Sequence, residues 1–450
     1  MPITKIWLFL HSEEICLIMR NYKKYIFPAF LLFYSLLTFA QPICKVRTFG
    51  TENGLPASVV SGITQSTDNL IWIATWNGLS CFDGYCFSTF RNIPGVDSQL
   101  TTNHLISVMP AMNGDLWTTA YSDDVYLFNS QSCQYSNVST MIEQKFKSKF
   151  SLRKIYPLPN GDTWIVGKYN DHYRLPNVNK DGEGLEKYYI PGTLNKVLLD
   201  ARGKEWLLCD QGAFVHTGNN TVRKVAPGCI DFVVELGGFR WLVSQDGKIY
   251  RLQSINGKPR AVSLRSAIGK VNEVVAVGNR HLVMATDRGL LVYDIKTGID
   301  ELKSVQWPNN PLPGIDQIFQ DSRHRLWCFN DGRGVALMSA DFTISHLDVK
   351  FNEADFTVSD RPIFHEDSRH TIWVTSKNGP LAYYDEKKNI LVPQSISAKG
   401  FKFDFIPRMK KAFSDHQGNL WIIYPHNLSL VSFNYSNVMQ CYADRPWPKA

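Results

Sequence analysis

The amino-acid sequence predicts an all-β protein built from β-propeller blades, and two observations lead to that prediction. One phrase recurs along the chain, and its clearest copy is DNLIWIATWNGLSCFDG at residues 68–84. The copies follow one another at intervals of about 44 residues, which is typical of propeller blades. Within each copy, short stretches rich in β-branched and aromatic residues alternate with turn residues, so each period is interpreted as several short strands.

The first complete repeat shows how one period is divided. Glycine, asparagine and aspartate supply the turns, and Gly78 allows a backbone shape that other residues resist. Four short antiparallel strands make one blade, and a single blade cannot bury both of its faces, so blades must stack and share a core. The predicted strands of this repeat are residues 59–65, 71–75, 79–82 and 85–90.

A tryptophan recurs at the same strand position, and we interpret it as a packing residue between blades. A large aromatic side chain at a fixed strand position mainly supplies buried area. In the sixth repeat Val283 takes this position without disturbing the phrase, which favours packing over ligand contact. These blade residues are Trp72, Trp117, Trp164, Trp206, Trp241, Trp327, Trp373 and Trp421.

Composition limits the class of protein. The 450 residues are enough for a large core or for two domains, and aromatic residues make up 13% of the chain. The formal net charge is only +7, so we do not expect nucleic acid to be a partner. No cofactor is expected, because the sequence has neither a glycine-rich phosphate-binding loop nor a nucleophile elbow.

The first 40 residues are interpreted as a leader. A basic segment precedes an apolar run at residues 25–39, and Ala40 ends an acceptable cleavage site, so residues 19–40 are predicted to be a signal peptide. The apolar run is short for a membrane-spanning helix. Because Met19 directly precedes the basic segment, we interpret residues 1–18 as an extension from a mis-assigned start. A periplasmic location is therefore expected.

The recurring phrase closely resembles the two-component regulator propeller repeat. Four segments of the first repeat carry the resemblance, and it is strongest there and in the last three repeats. It extends over roughly residues 45–435. The four segments are Gly54-Leu55-Pro56-Ala57-Ser58, Leu70-Ile71-Trp72-Ile73-Ala74-Thr75, Asn77-Gly78-Leu79 and Phe82-Asp83-Gly84-Tyr85.

The resemblance implies a sensory function. This repeat builds the periplasmic sensor half of hybrid two-component proteins of Bacteroidetes-type bacteria, which typically sense glycan fragments. Such sensors typically have two seven-bladed propellers and a β-sandwich, followed by a membrane helix, a histidine kinase, a receiver and a DNA-binding domain. The resemblance therefore implies an input region for signal transduction whose partner is an oligosaccharide or another small periplasmic ligand, and a homodimer is one arrangement to consider.

The chain departs from this architecture. Seven periods end near residue 345, so we expect a seven-bladed propeller at residues 44–345 and two blades of an incomplete second propeller at residues 346–450. A single propeller of eight or nine blades is the alternative. Because kinase motifs are absent from the sequence, we interpret the chain as a truncated sensor that is not itself an enzyme, with membrane attachment only through a missing C-terminal part. The functional alternatives are a secreted carbohydrate-active enzyme and a scaffold or adhesion module.

A ligand is expected on the rim formed by the turns between second and third strands and by the loops between blades. Aromatic rings can stack on the apolar faces of sugars, and polar groups can bond their hydroxyls. For each residue taken alone, an ordinary polar turn is the competing interpretation. The candidate residues on this rim are Trp76, Asn77, His104, Tyr121, Asp123, Tyr169, Asp287, Arg288, Arg333 and Lys377.

No metal site is expected. His365 and His370 resemble a zinc helix at first sight, but they are one residue too far apart for one helical face. The segment also precedes Trp373 as a turn, so it is interpreted as a loop.

Cys81 and Cys86 are predicted to form a disulfide. A two-residue Asp83-Gly84 turn makes Phe82 and Tyr85 the flanking pair and places the two cysteines opposite each other. The Cα atoms of such a pair lie about 4.5 Å apart, which is within disulfide range. In the family's phrase these positions usually hold polar or basic residues, which favours an outward-facing pair. Two reduced thiols packed side by side are the alternative.

Overall fold

A computed structural model gives the fold. Most of the chain belongs to one compact unit, Lys45–Ser432, whereas the other unit, Met1–Cys44 and Phe433–Ala450, is described only at the ends of two strands. No helix in the described part of the chain is long and apolar enough to cross a membrane. The described residues are 43–92, 100–176, 184–218, 220–254, 256–304, 313–330, 334–338, 342, 344–349, 362–375, 381–394, 396–398, 401–403, 409–424 and 428–434.

The described residues form an all-β propeller with nine blades of four strands. In blades 1 to 8 the four strands are consecutive in sequence and pair antiparallel. Blade 1 consists of Val60–Gln65, Ile71–Thr75, Gly78–Phe82 and Phe87–Phe90. Blade 2 consists of Leu105–Pro110, Leu116–Ala120, Val125–Asn129 and Gln134–Asn137. Blade 3 consists of Leu152–Pro157, Thr163–Gly167, His172–Leu175 and Glu186–Tyr188.

The middle blades repeat the same order. Blade 4 consists of Leu194–Leu199, Glu205–Cys209, Gly212–Gly218 and Thr221–Pro227. Blade 5 consists of Phe232–Leu236, Phe239–Val243, Ile249–Leu252 and Arg260–Val262. Blade 6 consists of Val271–Val277, His281–Thr286, Gly289–Asp294 and Ile299–Lys303.

The last blades differ slightly from this order. Blade 7 consists of Gln317–Gln320, Leu326–Asn330, Gly334–Met338 and Ile344–His346. Blade 8 consists of Ile363–Glu366, Ile372–Thr375, Leu381–Asp385 and Ile390–Gln394, and Asp348–Val349 adds to it in parallel. Blade 9 consists of Lys411–Ser414, Leu420–Ile423, Leu428–Asn434 and the N-terminal strand Ile43–Phe49.

Short elements lie outside the blades. Ile396–Ala398 pairs with Phe401–Phe403 as a separate hairpin. One α-helix, Val138–Phe146, follows the last strand of blade 2 and begins where the Asn137 side chain accepts a hydrogen bond from the Thr140 N–H. Two 3₁₀ turns occupy Thr51–Asn53 and Met112–Gly114.

Both faces of each blade are covered by its neighbours. Every residue of the second strand is buried in blades 1 and 2, for example. A strand that is buried on both faces carries no polar–apolar alternation and is mostly apolar. The polar residues that these two strands do carry, Thr75, Thr118 and Thr119, are buried as well. The tryptophans extend this packing, since Trp72 of blade 1 contacts Phe128 of blade 2 with ring centroids 5.4 Å apart.

The N-terminal strand completes the last blade and joins it to the first. Phe49 at the end of that strand packs on Trp421 of blade 9, with ring centroids 5.9 Å apart, and on Phe82 of blade 1, at 5.1 Å. The backbone N–H of His416 donates to the Gln65 side chain of blade 1 at 2.7 Å. Blades 9 and 1 are therefore direct neighbours.

The expected division into seven blades plus two is not confirmed. Blade 7 does not face blade 1, because its Trp327 packs with Phe364 and Val374 of blade 8. Blade 8 continues to blade 9, where the His365 Nδ1 lies 2.7 Å from the Ser414 hydroxyl. The described residues agree instead with the alternative of one nine-bladed propeller. The predicted extension and signal peptide, residues 1–40, lie outside the described residues.

The predicted pairing of Cys81 with Cys86 is wrong in its register. The turn spans four residues rather than two, so Phe82 pairs with Phe87 and Cys81 pairs with Ser88. The Asp83 carboxylate stabilises this wider turn by accepting the backbone N–H groups of Tyr85 and Cys86, each at 2.8 Å. Cys81 is a buried free thiol packed among apolar residues, and Cys86 is an exposed free thiol.

In four of the described blades, an aspartate six positions before the tryptophan joins the indole ring to a turn of the same blade. Its Oδ2 accepts the indole N–H at 2.8–3.0 Å, and its Oδ1 accepts two backbone N–H groups of the turn between the first and second strands. One carboxylate thus fixes both the turn and the ring. The pairs are Asp200 with Trp206, Asp321 with Trp327, Asp367 with Trp373, and Asp415 with Trp421.

Trp327→Phe is expected to destabilise the protein by about 1–2 kcal/mol more than Trp117→Phe does. Both rings are fully buried, but the Trp327 indole donates to the Asp321 carboxylate at 3.0 Å, whereas the Trp117 Nε1 has no hydrogen-bond partner among the described residues. Urea unfolding of the two variants measures the difference. Equal losses of stability would show that the aspartate contributes nothing beyond the packing.

A buried ionic cluster joins blades 3 and 4. The Arg174 guanidinium contacts Glu205 of blade 4 at 2.8 Å and Asp162 of its own blade at 2.6 Å. Glu205 also accepts the indole N–H of Trp164 at 2.7 Å. Burial alone would raise the pKa of Glu205, but the hydrogen bonds from Arg174 and Trp164 outweigh it and lower the pKa from 4.5 to about 2. The carboxylate therefore stays charged inside the interface.

Candidate ligand-binding rim

Four rings of blades 1 to 3 form the aromatic part of the rim, which we call the aromatic corner: Trp76, His104, Tyr121 and Tyr169. Trp76, Tyr121 and Tyr169 follow the second strands of their blades and are 50%, 74% and 80% exposed. His104 lies in the loop between blades 1 and 2. Large exposed rings in turns, set above a rigid blade, are available for contact with a ligand.

Hydrogen bonds and ring contact join three members of the aromatic corner. The rings of Trp76 and His104 lie 5.3 Å apart between centroids, at an angle of 32°. The backbone N–H of Tyr121 donates to the His104 carbonyl at 2.9 Å. Gly78 donates to the carbonyl of Asn103 at 2.9 Å, so the turn of blade 1 is attached to the same loop. The structure therefore brings Trp76, His104 and Tyr121 together.

Asp123 connects the aromatic corner to blade 3. Its carboxylate forms an ion pair with Lys168 and accepts the Ser151 hydroxyl at 3.1 Å, and its carbonyl accepts the N–H of Leu152 at 2.9 Å. Lys168 directly precedes Tyr169, so this contact fixes the turn that carries the third exposed ring. Internal bonds therefore occupy the Asp123 carboxylate, which stabilises this part of the rim.

The side chains of two further candidates also form hydrogen bonds within the protein. The Asn77 amide donates to the Pro56 carbonyl at 3.1 Å. Asp287 Oδ1 accepts the N–H of Lys270 at 2.9 Å, and a Cβ on Gly269 would come within 2.1 Å of that oxygen. Gly269, with φ of +67°, is therefore required for the contact. These observations favour the ordinary-turn interpretation for Asn77 and Asp287.

The contact in which an aspartate carboxylate accepts the backbone N–H that follows a glycine recurs in another blade, and this recurrence was not predicted from the sequence. In blade 4, Asp210 Oδ1 accepts the N–H of Thr193 at 2.8 Å, and a Cβ on Gly192 would lie 1.9 Å from that oxygen. Glycine before the first strand and aspartate after the second stand at the same spacing in both blades, which is the signal that could have revealed the contact.

Of the remaining candidates, Arg288 is the one that the structure describes, and it is not part of the aromatic corner. Arg288 lines a separate cleft of about 760 Å³ on blades 5 and 6. That cleft also contains Cys229, Asp231 and Lys270, which sequence reasoning did not select. Arg333 and Lys377 lie outside the described residues. The rim thus divides into an aromatic corner on blades 1 to 3 and a polar cleft on blades 5 and 6.

The histidines of the rejected zinc motif have structural contacts. His365 is buried, and its Nε2 lies 3.0 Å from the Gly418 carbonyl of blade 9. His370 Nδ1 lies 2.8 Å from Glu366. Among the described residues, no group of three or more His, Cys, Asp or Glu side chains could hold a metal ion.

No family model and no curated protein matches the chain. Similar solved structures include the extracellular domain of a putative hybrid two-component system from B. thetaiotaomicron, with 15% identity, a TM-score of 0.36, and coverage of 84% of this chain and 58% of that chain. They also include a streptogramin B lyase, with 13% identity, a TM-score of 0.40, and coverage of 87% and 98%. Virginiamycin B lyase from Staphylococcus aureus has 12% identity, a TM-score of 0.39, and coverage of 87% and 99%.

The chain therefore spans 58% of the length of that two-component domain. At these identities and TM-scores the similarities do not decide between sensor and enzyme. The function of this propeller has to be argued from its rim.

Proposed function

We propose that this propeller binds an oligosaccharide at the aromatic corner and serves as the periplasmic input region of a hybrid two-component sensor. The observation that carries the proposal is the set of exposed rings of Trp76, Tyr121 and Tyr169 on one rim, supported by hydrogen-bonded loops. Aromatic side chains of this size are normally buried, so a group of them exposed on a structured rim favours a binding surface.

The chemistry of the aromatic corner suits sugars. Ring faces stack on the apolar C–H surfaces of a sugar, and the peripheral hydroxyls need polar partners nearby. The His104 imidazole beside Trp76 and the half-exposed Lys168 amine, one position before Tyr169 in the sequence, supply such partners. Because internal bonds fix the turns before any ligand arrives, little conformational entropy is lost on binding.

The sensory part of the proposal rests on the resemblance of the repeat phrase and on the leader-like N-terminal segment. Binding would act by favouring one arrangement of domains or of a homodimer over another, and its effect is limited by the difference in affinity for the two arrangements. This region contributes ligand recognition, whereas the phosphorelay chemistry belongs to other domains of such sensors.

A carbohydrate-active enzyme is the less favoured alternative. Hydrolysis of a glycosidic bond normally needs two carboxyl groups that face the substrate. On this rim, Asp123 is bonded to Lys168 and Ser151, and Asp287 is bonded to the loop before blade 6. Glycan cleavage that is lost in Asp123→Asn or Asp287→Asn would replace the sensor proposal with the enzyme.

Trp76→Ala is expected to weaken oligosaccharide binding by on the order of 2 kcal/mol, or about 30-fold in Kd. The measurement is isothermal titration of the exported region against a panel of oligosaccharides. Tyr85→Ala is the matched control, because Tyr85 is 75% exposed but lies in the hairpin between the third and fourth strands of the same blade. Equal affinity in both variants, or no binding by any member of the panel, would contradict the proposal.

A further inference from the structure

The cleft on blades 5 and 6 is a second concave feature of the rim. It lies between the loop before blade 5, which carries Cys229 and Asp231, and the turn of blade 6, which carries Arg288. The turn containing Asp246 and the loop ending at Lys270 complete it. Its volume of about 760 Å³ is within the range of small-molecule sites.

One end of the cleft is acidic. Asp231 is fixed there because its Oδ2 accepts the N–H of Gln245 at 2.7 Å, and its Oδ1 lies 3.6 Å from the Cys229 thiol. Burial raises the pKa of Cys229, and the negative charges of Asp231 and Asp246 raise it further. The thiol therefore reports a negative electrostatic potential at this end.

The part of the cleft that blade 6 and the loop before it supply is basic. Lys270 is fixed through its backbone N–H, which donates to Asp287, and Arg288 through its N–H, which donates to the Thr286 hydroxyl at 3.2 Å. Neither the Lys270 amine nor the Arg288 guanidinium forms an ion pair with another residue that the structure describes. Both positive charges are therefore available to an anionic group.

An apolar wall adjoins the acidic and the basic groups. Ile268 is buried, and Leu264 and Val262 are half-buried beside it. The turn of blade 5 approaches this wall closely, since a Cβ on Gly247 would lie 3.2 Å from the Ile268 side chain. Gly247 also has φ of +85°, so glycine keeps this part of the cleft open.

We propose that this cleft binds a small zwitterion whose ammonium group faces Asp231, whose carboxylate faces Lys270 and Arg288, and whose apolar body packs on Ile268. This is the chemistry of an amino acid or a short peptide. The acidic and basic groups of the cleft are complementary to the two charges of such a molecule, and the apolar wall beside them matches a side chain such as that of leucine. Asp246 is left out of the proposed contacts because its carboxylate is already paired with Lys248 at 2.6 Å. The site is separate from the aromatic corner and does not depend on the proposed sugar binding.

Isothermal titration with leucine, leucyl-leucine, N-acetyl-leucyl-leucine and leucyl-leucinamide tests the proposal. The free amino acid and the free dipeptide separate the two sources of the zwitterion, and at least one of them is expected to bind. Each blocked dipeptide lacks one charge and is expected to bind about tenfold more weakly than leucyl-leucine. No binding of either zwitterion at millimolar concentration, or equal binding of the blocked and free dipeptides, would overturn the proposal.

Arg288→Gln is expected to weaken the binding of the better-binding zwitterion about tenfold. The affinity for leucyl-leucinamide is expected to stay unchanged, because the amide has no carboxylate for Arg288 to contact. Arg265→Gln is the matched control, since Arg265 belongs to the loop between blades 5 and 6 that borders the cleft but does not itself line the cleft. If both variants lose the zwitterion equally, general destabilisation of this region explains the result and the proposal fails. Trp76→Ala is expected to leave zwitterion binding intact, which separates this test from that of sugar binding.

The Cys229 thiol provides a second readout. A positively charged and a negatively charged thiol reagent are each used to label Cys229 and the exposed Cys133. The ratio of the two labelling rates, positive over negative, is expected to be several-fold higher at Cys229. Comparing two reagents at one residue removes the effect of that residue's own pKa. The bound zwitterion is expected to protect Cys229 and not Cys133. Equal charge preference at the two thiols, or no protection, would contradict the assignment of the acidic end.

Discussion

Phe49→Ala is expected to destabilise the propeller by about 3–5 kcal/mol. Phe49 is 1% exposed and lies among three rings, with centroid distances of 5.1 Å to Phe82, 5.3 Å to Phe87 and 5.9 Å to Trp421. Its removal leaves a cavity where the N-terminal strand joins the last blade to the first. Urea unfolding at neutral pH measures the loss.

Limited proteolysis adds a second measurement of closure. The native protein is expected to resist cleavage through residue 432, because blade 9 is held by the N-terminal strand and by blade 1. Phe49→Ala is expected to expose blade 9 first, whereas Tyr189→Ala, which alters a side chain that is 84% exposed, changes nothing. Early cleavage near residue 345 in the native protein would contradict the nine-bladed closure.

Glu205→Gln is expected to cost about 3–5 kcal/mol, because it leaves the buried Arg174 without its main counter-charge. Arg174→Met is expected to cost a similar amount for the converse reason. Lys303→Met breaks the exposed pair with Glu301 and serves as the control with little effect. Chemical denaturation of the three variants makes the comparison, and a Glu205→Gln protein as stable as the parent would show that the cluster adds nothing.

Stability is expected to fall in two steps as the pH is lowered. Burial lowers the pKa of His172 from 6.5 to about 4, so its contribution is complete above 6.5 and is lost as the pH falls to 4. The pKa of Glu205 is lowered from 4.5 to about 2, so its contribution is lost between those values. Urea midpoints measured from pH 7 to pH 2 should show both steps, and the lower step should be smaller in Glu205→Gln. Other carboxyl groups with lowered pKa values, such as Asp200 and Glu366, contribute the rest of that step.

The blades could be predicted from the sequence because each is a local object. The phrase around Trp72 contains its own turns and its own apolar strands, so the strand bounds of blade 1 follow closely from residues 59–90. The closure could not be predicted in this way. Nothing local to residues 43–49 indicates that this strand completes blade 9, because its partner strand Leu428–Asn434 lies at the far end of the described sequence.

Strand register and side-chain contacts are the other features that could not be predicted from the sequence. The Asp83-Gly84 signal predicted a two-residue turn, but the Asp83 carboxylate bonds two N–H groups further along and widens it. That one shift moves Cys81 from Cys86 to Ser88 and removes the predicted disulfide. On the rim, the turn positions of Trp76 and Tyr121 could be predicted, whereas the internal bonds that occupy Asp123 and Asp287 depend on neighbouring blades.

The position of the first strand in the last blade sets the order in which the chain can mature. The hydrogen bond between Gln65 and His416 spans 351 positions, so blade 1 gains one of its neighbours only after blade 9 has been synthesised. A growing chain can assemble successive blades as they emerge, yet blade 1 keeps one bare face until blade 9 is present. Contacts of such long range are slow to form, and the bare face is prone to associate with other chains. Synthesis of blade 9, and not the assembly of any earlier blade, therefore limits when this propeller can reach its native state.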